Sequence, residues 1–555
     1  YENFTQQWVA WAHSHGVKVR NQAHGSPANL LDLYGAVDIP EIEGFGLSNF
    51  GIRGLRTDSG FTRKNFSDVS MLKYAPSAAH VMGKQLTSSE TFTWLTEHFR
   101  TSLSQMKPDL DLMYTCGVNR MFFHGTCYSP KNEPWPGWKF YASIDMSPTN
   151  SIWRDAPYLM QYIQRCQRLL QWGKPDNDFL IYLPVRDIWK KNTKNLLMMF
   201  DINSMARKAP EFKRAVMEID SLGYGTDYIS DRQMAKVKKI GKDTTADNAT
   251  STDAVFITEG GAEYKGLIDP RKPIDVKQLQ KMAQPEELRS QLGLRYIRRN
   301  NPYGHHYFIA NLTPGDVDDY VRISVPWKDA VWYNPLTDEY NNIEEKDGKI
   351  RVSLLSGESR FLLVFDEKRH GTMPFLCVKG TAPVLHRDNA CKIIDTPWTL
   401  SFTETVPKVS RTWTLPHPQT WETLDDDSVR TTMGTGIYTT TIKLSKTDAE
   451  KRWAIDIGDV RESARVYING RFIGCAWAAP FILNTNGTLR KGRNEIRIEV
   501  TNLPANRIAD MDRKGIPWRK MKDINVVDIN YKKTTYANWT PMKSGLNSEV
   551  KLVEY

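Results

Sequence analysis

No apolar run in the 555-residue sequence reaches the roughly 18 residues that a bilayer-crossing helix needs, so no membrane span is expected. Cysteine is scarce: six residues, at 116, 127, 166, 377, 391 and 475, with no CxxC pair. That pattern speaks against a zinc site or a dense disulfide framework. Cys116 in MYTCGV and Cys475 in FIGCAW sit in apolar surroundings and read as buried thiols. GxGxxG, the Walker loop, GxSxG and HExxH are missing, which argues against nucleotide binding, serine-esterase and zinc-protease chemistry. A starting methionine and a signal peptide are also missing. The chain therefore reads as a processed or excerpted piece, and a secreted or periplasmic location is expected.

What is present is ordinary globular composition, 40% hydrophobic and 25% charged, with a formal net charge of +10. The densest basic cluster is Lys236, Lys238, Lys239 and Lys242. No nucleic-acid motif accompanies it, so it reads as a solvated face and no nucleic-acid partner is expected. A mild basic balance also suits an acidic polymer.

The first third alternates extended runs with helical spacing. VKVRNQ and VDIPEIE flank SPANLLDLYGA, a short helix expected to start at Ser26-Pro27. KQLTSSE, NRMFFHG and FLIYLP supply three further runs, with helical stretches between them. The stretch TFTWLTEHFRTSLSQMKPDLDLMYTCG is expected to form two helical pieces parted near Pro108. Strand-helix alternation of this kind predicts a parallel α/β fold, and strands that end in polar residues suggest a (β/α)8 TIM barrel. Five strands fall short of eight, so the barrel is expected to lack its first strands here.

The organisation that follows is a barrel portion over 1–190, a mixed α/β segment over 191–290, a β-sandwich over 291–370 and a second β-sandwich over 391–555. Residues 368–374 read as a linker. Within the last block, Asn469-Gly470 between two alternating runs is a strong hairpin signal.

The candidate chemistry sits at the strand ends. Glu41 and Glu43 are two apart on one strand and point to one side. Two such carboxylates would raise each other's proton affinity, one way to keep a general acid protonated. Glu90 closes the next strand, with capping of the following helix as its competing reading. Carboxylates from different strands across a cleft are what glycoside hydrolysis requires. His24 and His124 each follow a strand and suit sugar-hydroxyl binding, proton transfer or metal ligation. Trp135 and Trp138 in PWPGW suit stacking on a sugar face, core packing being the alternative. Glu133 is a further carboxylate, well beyond its strand. The acidic groups Asp109/Asp111, Asp176/Asp178 and Asp425 to Asp427 lack EF-hand spacing and read as solvated turns.

Three blocks in order, RNQAHGSPANLLDLYGAVDIPEIEGFG, KQLTSSETFTWLTEHF and GVNRMFFHGTCYSPKNEPWPGW, resemble glycoside hydrolase family 106, the α-L-rhamnosidases acting on plant pectic polysaccharides. The resemblance spans about residues 1–189. The stretch VYINGRFIGCAWAAPFILN through GRNEIRIEVTN resembles the galactose-binding-like sandwich (jelly roll) found with many glycosidases. These resemblances imply a (β/α)8 catalytic barrel with appended β-domains and a rhamnose-containing glycan as substrate. They also imply an inverting two-glutamate mechanism and a calcium ion at the active site. Glu41, Glu43 and Glu90 are the glutamates in the matching blocks, without a division of roles. Two other readings compete: a glycosidase of different sugar specificity, β-galactosidase-like, and a non-catalytic carbohydrate-binding protein.

Overall fold

A computed structural model of the chain describes residues 1–44, 46–58, 67–94, 99–139, 144–191, 198–241, 254–368, 389–519 and 535–555, with the backbone of 62–63 and 378–379. Lys242, Cys377 and most of the expected linker lie outside the described residues. Four short strands, β1 (Arg20–Gln22), β2 (Ile39–Glu43), β3 (Ser88–Thr91) and β4 (Arg120–Phe123), pair in parallel in that order. Helix α1 (Leu30–Ala36) joins β1 to β2, α2 (Tyr74–Val81) precedes β3, and α3 (Leu103–Thr115) joins β3 to β4.

Two helix expectations need correction. Helix α1 begins not at Ser26-Pro27 but after Asn29, whose side chain accepts the Leu31 N–H at 3.0 Å. Ser26 is held extended instead, bridged to Phe200. Pro108 does not part α3, which runs unbroken through it. A helix-interior proline costs about 3 kcal/mol or more. Here all thirteen positions of the helix are buried, and a Ser102–Gln105 capping box closes its start. Packing on every side outweighs one lost hydrogen bond.

The fifth extended run does not join this sheet. After α4 (Ala156–Leu170), Lys174–Pro175 pairs antiparallel with Asn300 and Arg299, at the edge of a seven-stranded sheet. That pairing carries the chain away from β4. FLIYLP then forms β5 (Phe179–Tyr182), the centre of a separate parallel sheet between β6 (Thr226–Ile229) and β7 (Gly266–Ile268). Among the described residues the β1–β4 sheet has four strands and does not close into a barrel.

From Arg295 the strands pair antiparallel, apart from a short parallel contact of Glu339 and Tyr340 with Val378 and Lys379. The seven-stranded sheet places Tyr307, Ile309, Leu362 and Val364 against Val321, Ile350, Val352 and Leu354 of a three-stranded sheet. Its other face places Phe308, Phe361 and Leu363 on α3 and α4, through Met106, Leu110, Tyr114, Tyr162 and Leu169. One residue step switches the face, as strand periodicity requires. The C-terminal region pairs six strands in one sheet and four in another around a shared core that includes Trp398, Trp453 and Ile498. The Asn469-Gly470 hairpin forms as expected, with both turn residues at positive φ, 51° and 78°.

Between α3 and the seven-stranded sheet lies a buried ion pair. Lys107 Nζ meets Asp111 Oδ2 at 2.7 Å and donates to the Ser359 hydroxyl at 2.8 Å and the Gly357 carbonyl at 3.0 Å. Asp111 also accepts from the Tyr162 hydroxyl. Lys107→Met strands the Asp111 charge and is expected to lower unfolding free energy by about 3–5 kcal/mol in urea titrations.

His306, 1% exposed, bonds Asn301 and the Leu169 carbonyl, and burial pushes its pKa down to about 3. An unfolded histidine titrates near 6.5. Below about pH 6.5 the unfolded chain therefore takes up a proton that the folded chain refuses, and stability falls as pH drops toward 3. His306→Gln is expected to flatten that part of the stability–pH curve, measured by melting temperature at stepped pH.

Candidate functional site

Parallel pairing aligns Gln22 with Glu41, Glu41 with Ser88 and Ser88 with Arg120, and then Glu43 with Glu90 and Glu90 with Phe122. Since side chains alternate, one face of the β1–β4 sheet carries Arg20 and Gln22, Glu41 and Glu43, Ser88 and Glu90, and Arg120 and Phe122. The face is polar across all four strands. Arg20 on one edge strand reaches the Phe122 ring on the other, its guanidinium 3.6 Å from the ring centroid. Strands about 4.8 Å apart make that a reach across the whole sheet, so the side chains close over the middle strands.

Each glutamate has its own partners. Glu41, buried, meets Arg20 Nη1 at 3.0 Å and accepts from the Ser88 hydroxyl at 2.8 Å. Glu43, also buried, meets His24 Nε2 at 3.0 Å. Glu90, more exposed, accepts from Thr93 Oγ1 at 2.8 Å and stands 4.0 Å from His124 Nε2. Glu41 is thus paired with a cation and Glu43 with a histidine. Gln22 links the strands, because its Nε2 donates to Glu90 and, at 3.4 Å, to Glu41. One nitrogen can bridge only oxygens within about 6 Å of each other. Behind β1, burial and then the nearby Glu43 and Glu41 charges push the Tyr34 hydroxyl up, keeping it protonated.

The structure thus gathers Glu41, Glu43, Glu90, His24 and His124, and places Glu90 within a strand rather than at a helix cap. The Trp135 indole N–H donates to the Thr149 carbonyl at 2.9 Å, and its ring packs near Phe99. Trp138 is half-buried, its backbone N–H held by Ser129. Among the described residues neither is bonded to the glutamates. The acidic groups are engaged too: Asp111 with Lys107, and Asp176 and Asp178 with Arg298. Among the described residues no three His, Cys, Asp or Glu side chains converge to hold a metal, and Arg20 occupies the flank of Glu41. No step below runs through the calcium that the resemblance implies.

Arg20, Gln22, Ser88 and Thr93 were not singled out in the sequence. Counting back from His24 in steps of two along VKVRNQAH would have reached Gln22 and Arg20. One step of two back from Glu90 would likewise have reached Ser88, while Thr93 carries no such signal.

Carboxylates and histidines from adjacent parallel strands thus share one polar face. The family model described as alpha-L-rhamnosidase, of glycoside hydrolase family 106, matches residues 47–204. The resemblance to that family is thus borne out over a shorter span than 1–189. Glu90, His124, Trp135 and Trp138 lie inside it, while His24, Glu41 and Glu43 precede it. A solved rhamnosidase from Novosphingobium sp. PP1Y shares the fold at TM-score 0.70 and 18% identity, over 99% of this chain and 55% of that one. A putative beta-glucuronidase of Formosa agariphila is 23% identical over 235 residues, 38% of this chain and 19% of its own length. The chain spans about half of that solved rhamnosidase and a fifth of this curated relative.

Arg20→Met would leave the buried Glu41 carboxylate without its cation, and is expected to cost about 1–3 kcal/mol of stability in chemical denaturation.

Proposed function

We propose that this chain is a glycosidase of the α-L-rhamnosidase kind, with the polar face of the β1–β4 sheet as its active site. The observation that carries the reading is Glu90: it lies in the matched family segment, at a strand end, and shares the Gln22 amide with Glu41. In this reading the four-stranded sheet is part of a (β/α)8 barrel and the C-terminal sheets form a galactose-binding-like sandwich. The substrate is a rhamnose-containing glycan of pectic type, met in a secreted or periplasmic setting. Calcium would need ligands beyond those described.

Hydrolysis requires one carboxyl group to protonate the leaving oxygen while a second carboxylate activates water, with inversion when the two stand about 6.5–9.5 Å apart. Glu41 and Glu90, which share the Gln22 amide, are the pair this mechanism would use. His24 and His124 are placed to hold sugar hydroxyls beside Glu43 and Glu90.

Glu41→Gln and Glu90→Gln, each assayed on an aryl α-L-rhamnoside, are expected to lose at least about a hundredfold in kcat. Full activity in both variants would overturn the site. Proton NMR of the first-formed rhamnose is expected to show inverted anomeric configuration. A panel of other aryl glycosides separates a different sugar specificity, and binding without turnover would point to a carbohydrate-binding protein.

A further inference from the structure

A polar cavity of about 540 Å³ opens at the other end of the β1–β4 sheet, where Lys84 and Gln85 lead into β3. The strand-end glutamates stand at the carboxyl ends of β2 and β3, so the two places are distinct. Its walls come from three parts of the chain: the turn after α2, the Gly173–Asp176 stretch beside Arg299 and Asn300, and the 260–263 turn. Two turns meet there backbone to backbone. A Cβ on Gly83 would lie 2.7 Å from the Gly260 carbonyl oxygen, so the wall is built without side chains at that crossing.

The unusual group in the wall is Arg299. It is 3% exposed, and its recorded partners are two neutral carbonyls, Trp172 at 2.9 Å from Nε and Gly173 at 3.0 Å from Nη2. Among the described residues no carboxylate lies within ion-pair distance of it. Its neighbour Arg298 shows the alternative, meeting Asp176 at 2.6 Å, Asp178 at 3.0 Å and Glu286 at 2.9 Å. A buried guanidinium ordinarily has an anion because desolvation is costly. Burial also pushes Arg299 down to about 10, the direction a missing counter-charge produces.

The remaining charges favour an anion. Lys84 and Lys174 line the cavity. Among the described residues neither stands within ion-pair distance of a carboxylate, and the acidic group that feels the Lys84 charge is Asp38, outside the cavity wall. Asp176, in the same wall, is taken by Arg298 and by His305 at 3.4 Å. Glu263 is the opposing charge, and it is exposed. Two lysines and a buried guanidinium around a polar space match an oxyanion, which a guanidinium holds through paired N–H donors.

We propose that this cavity binds a small oxyanion, a carboxylate such as that of an acidic sugar or a phosphate, against Arg299 with Lys84 and Lys174 at its rim. The assignment is independent of the glycosidase reading, since it uses none of the strand-end residues. It is tested by isothermal titration calorimetry of the full chain at low ionic strength, with sodium galacturonate in one arm and inorganic phosphate in the other. Saturable binding is expected in at least one arm, and the arm that binds names the source of the anion. Binding is expected to weaken at least about tenfold in Arg299→Gln and in the Lys84→Glu/Lys174→Glu double variant. The Lys346→Glu/Lys349→Glu double variant, with the same charge change outside the cavity, is expected to bind as the parent does. Should Arg299→Gln fail to fold, the double variant at the rim decides. No binding in either arm, or equal weakening in both double variants, overturns the proposal.

Discussion

The Lys107–Asp111 pair, closed off by Tyr162, Ser359 and the Gly357 carbonyl, is the constraint on which the middle of the molecule depends. Two charges removed from water are tolerable only when each is matched and the remaining hydrogen-bonding capacity is met. Meeting it requires α3, α4 and the seven-stranded sheet together, since each supplies at least one member. No two of these elements satisfy the charges alone. The apolar contacts around the pair, among them Met106, Leu110, Phe308 and Leu363, add attraction without direction. The ionic network supplies the register in which those surfaces meet.

That register matters for the glutamates. Helix α3 packs behind the sheet it connects, and its burial on all sides fixes where β3 ends and β4 begins. Strands of only three to five residues have little ladder of their own to hold position. The polar face adds a second layer of order, in which Arg20 draws on Glu41 and the Phe122 ring at once. Gln22, neutral and bonded to two carboxylates, holds negative groups near each other without cancelling either charge.

Local patterns were readable where one residue dictates backbone shape or where alternation meets a buried face. The Asn469-Gly470 turn follows from the need for positive φ at both positions. The placement of Glu41, Glu43 and Glu90 on strands followed from period-two spacing. What spacing does not carry is which sheet a strand will join. FLIYLP reads the same in either parallel sheet, and it was the Lys174–Pro175 pairing with Arg299 and Asn300, more than a hundred residues downstream, that decided its fate. Pro108 misled for a related reason, because a local cost is visible in the sequence while the surrounding burial is not. For the aromatic loop holding Trp135, spacing left sugar stacking and core packing both open, since its partner Thr149 carries no pattern.

Helix α4 is gripped by two other parts of the chain. Just before its start, the buried Asp155 takes the Ser463 hydroxyl at 2.6 Å and Arg465 Nε at 2.7 Å, both from the C-terminal six-stranded sheet. Near its end, Arg165 donates to the Pro335 and Leu336 carbonyls of the preceding antiparallel region. The C-terminal sheets are consequently not an ornament that could be cut away or exchanged at a linker. Shortening the chain before Ser463 would open a carboxylate to water at the root of the helix that bears Tyr162. The boundary between the N-terminal α/β region and the C-terminal sheets, drawn in sequence, is not a boundary of mechanical independence.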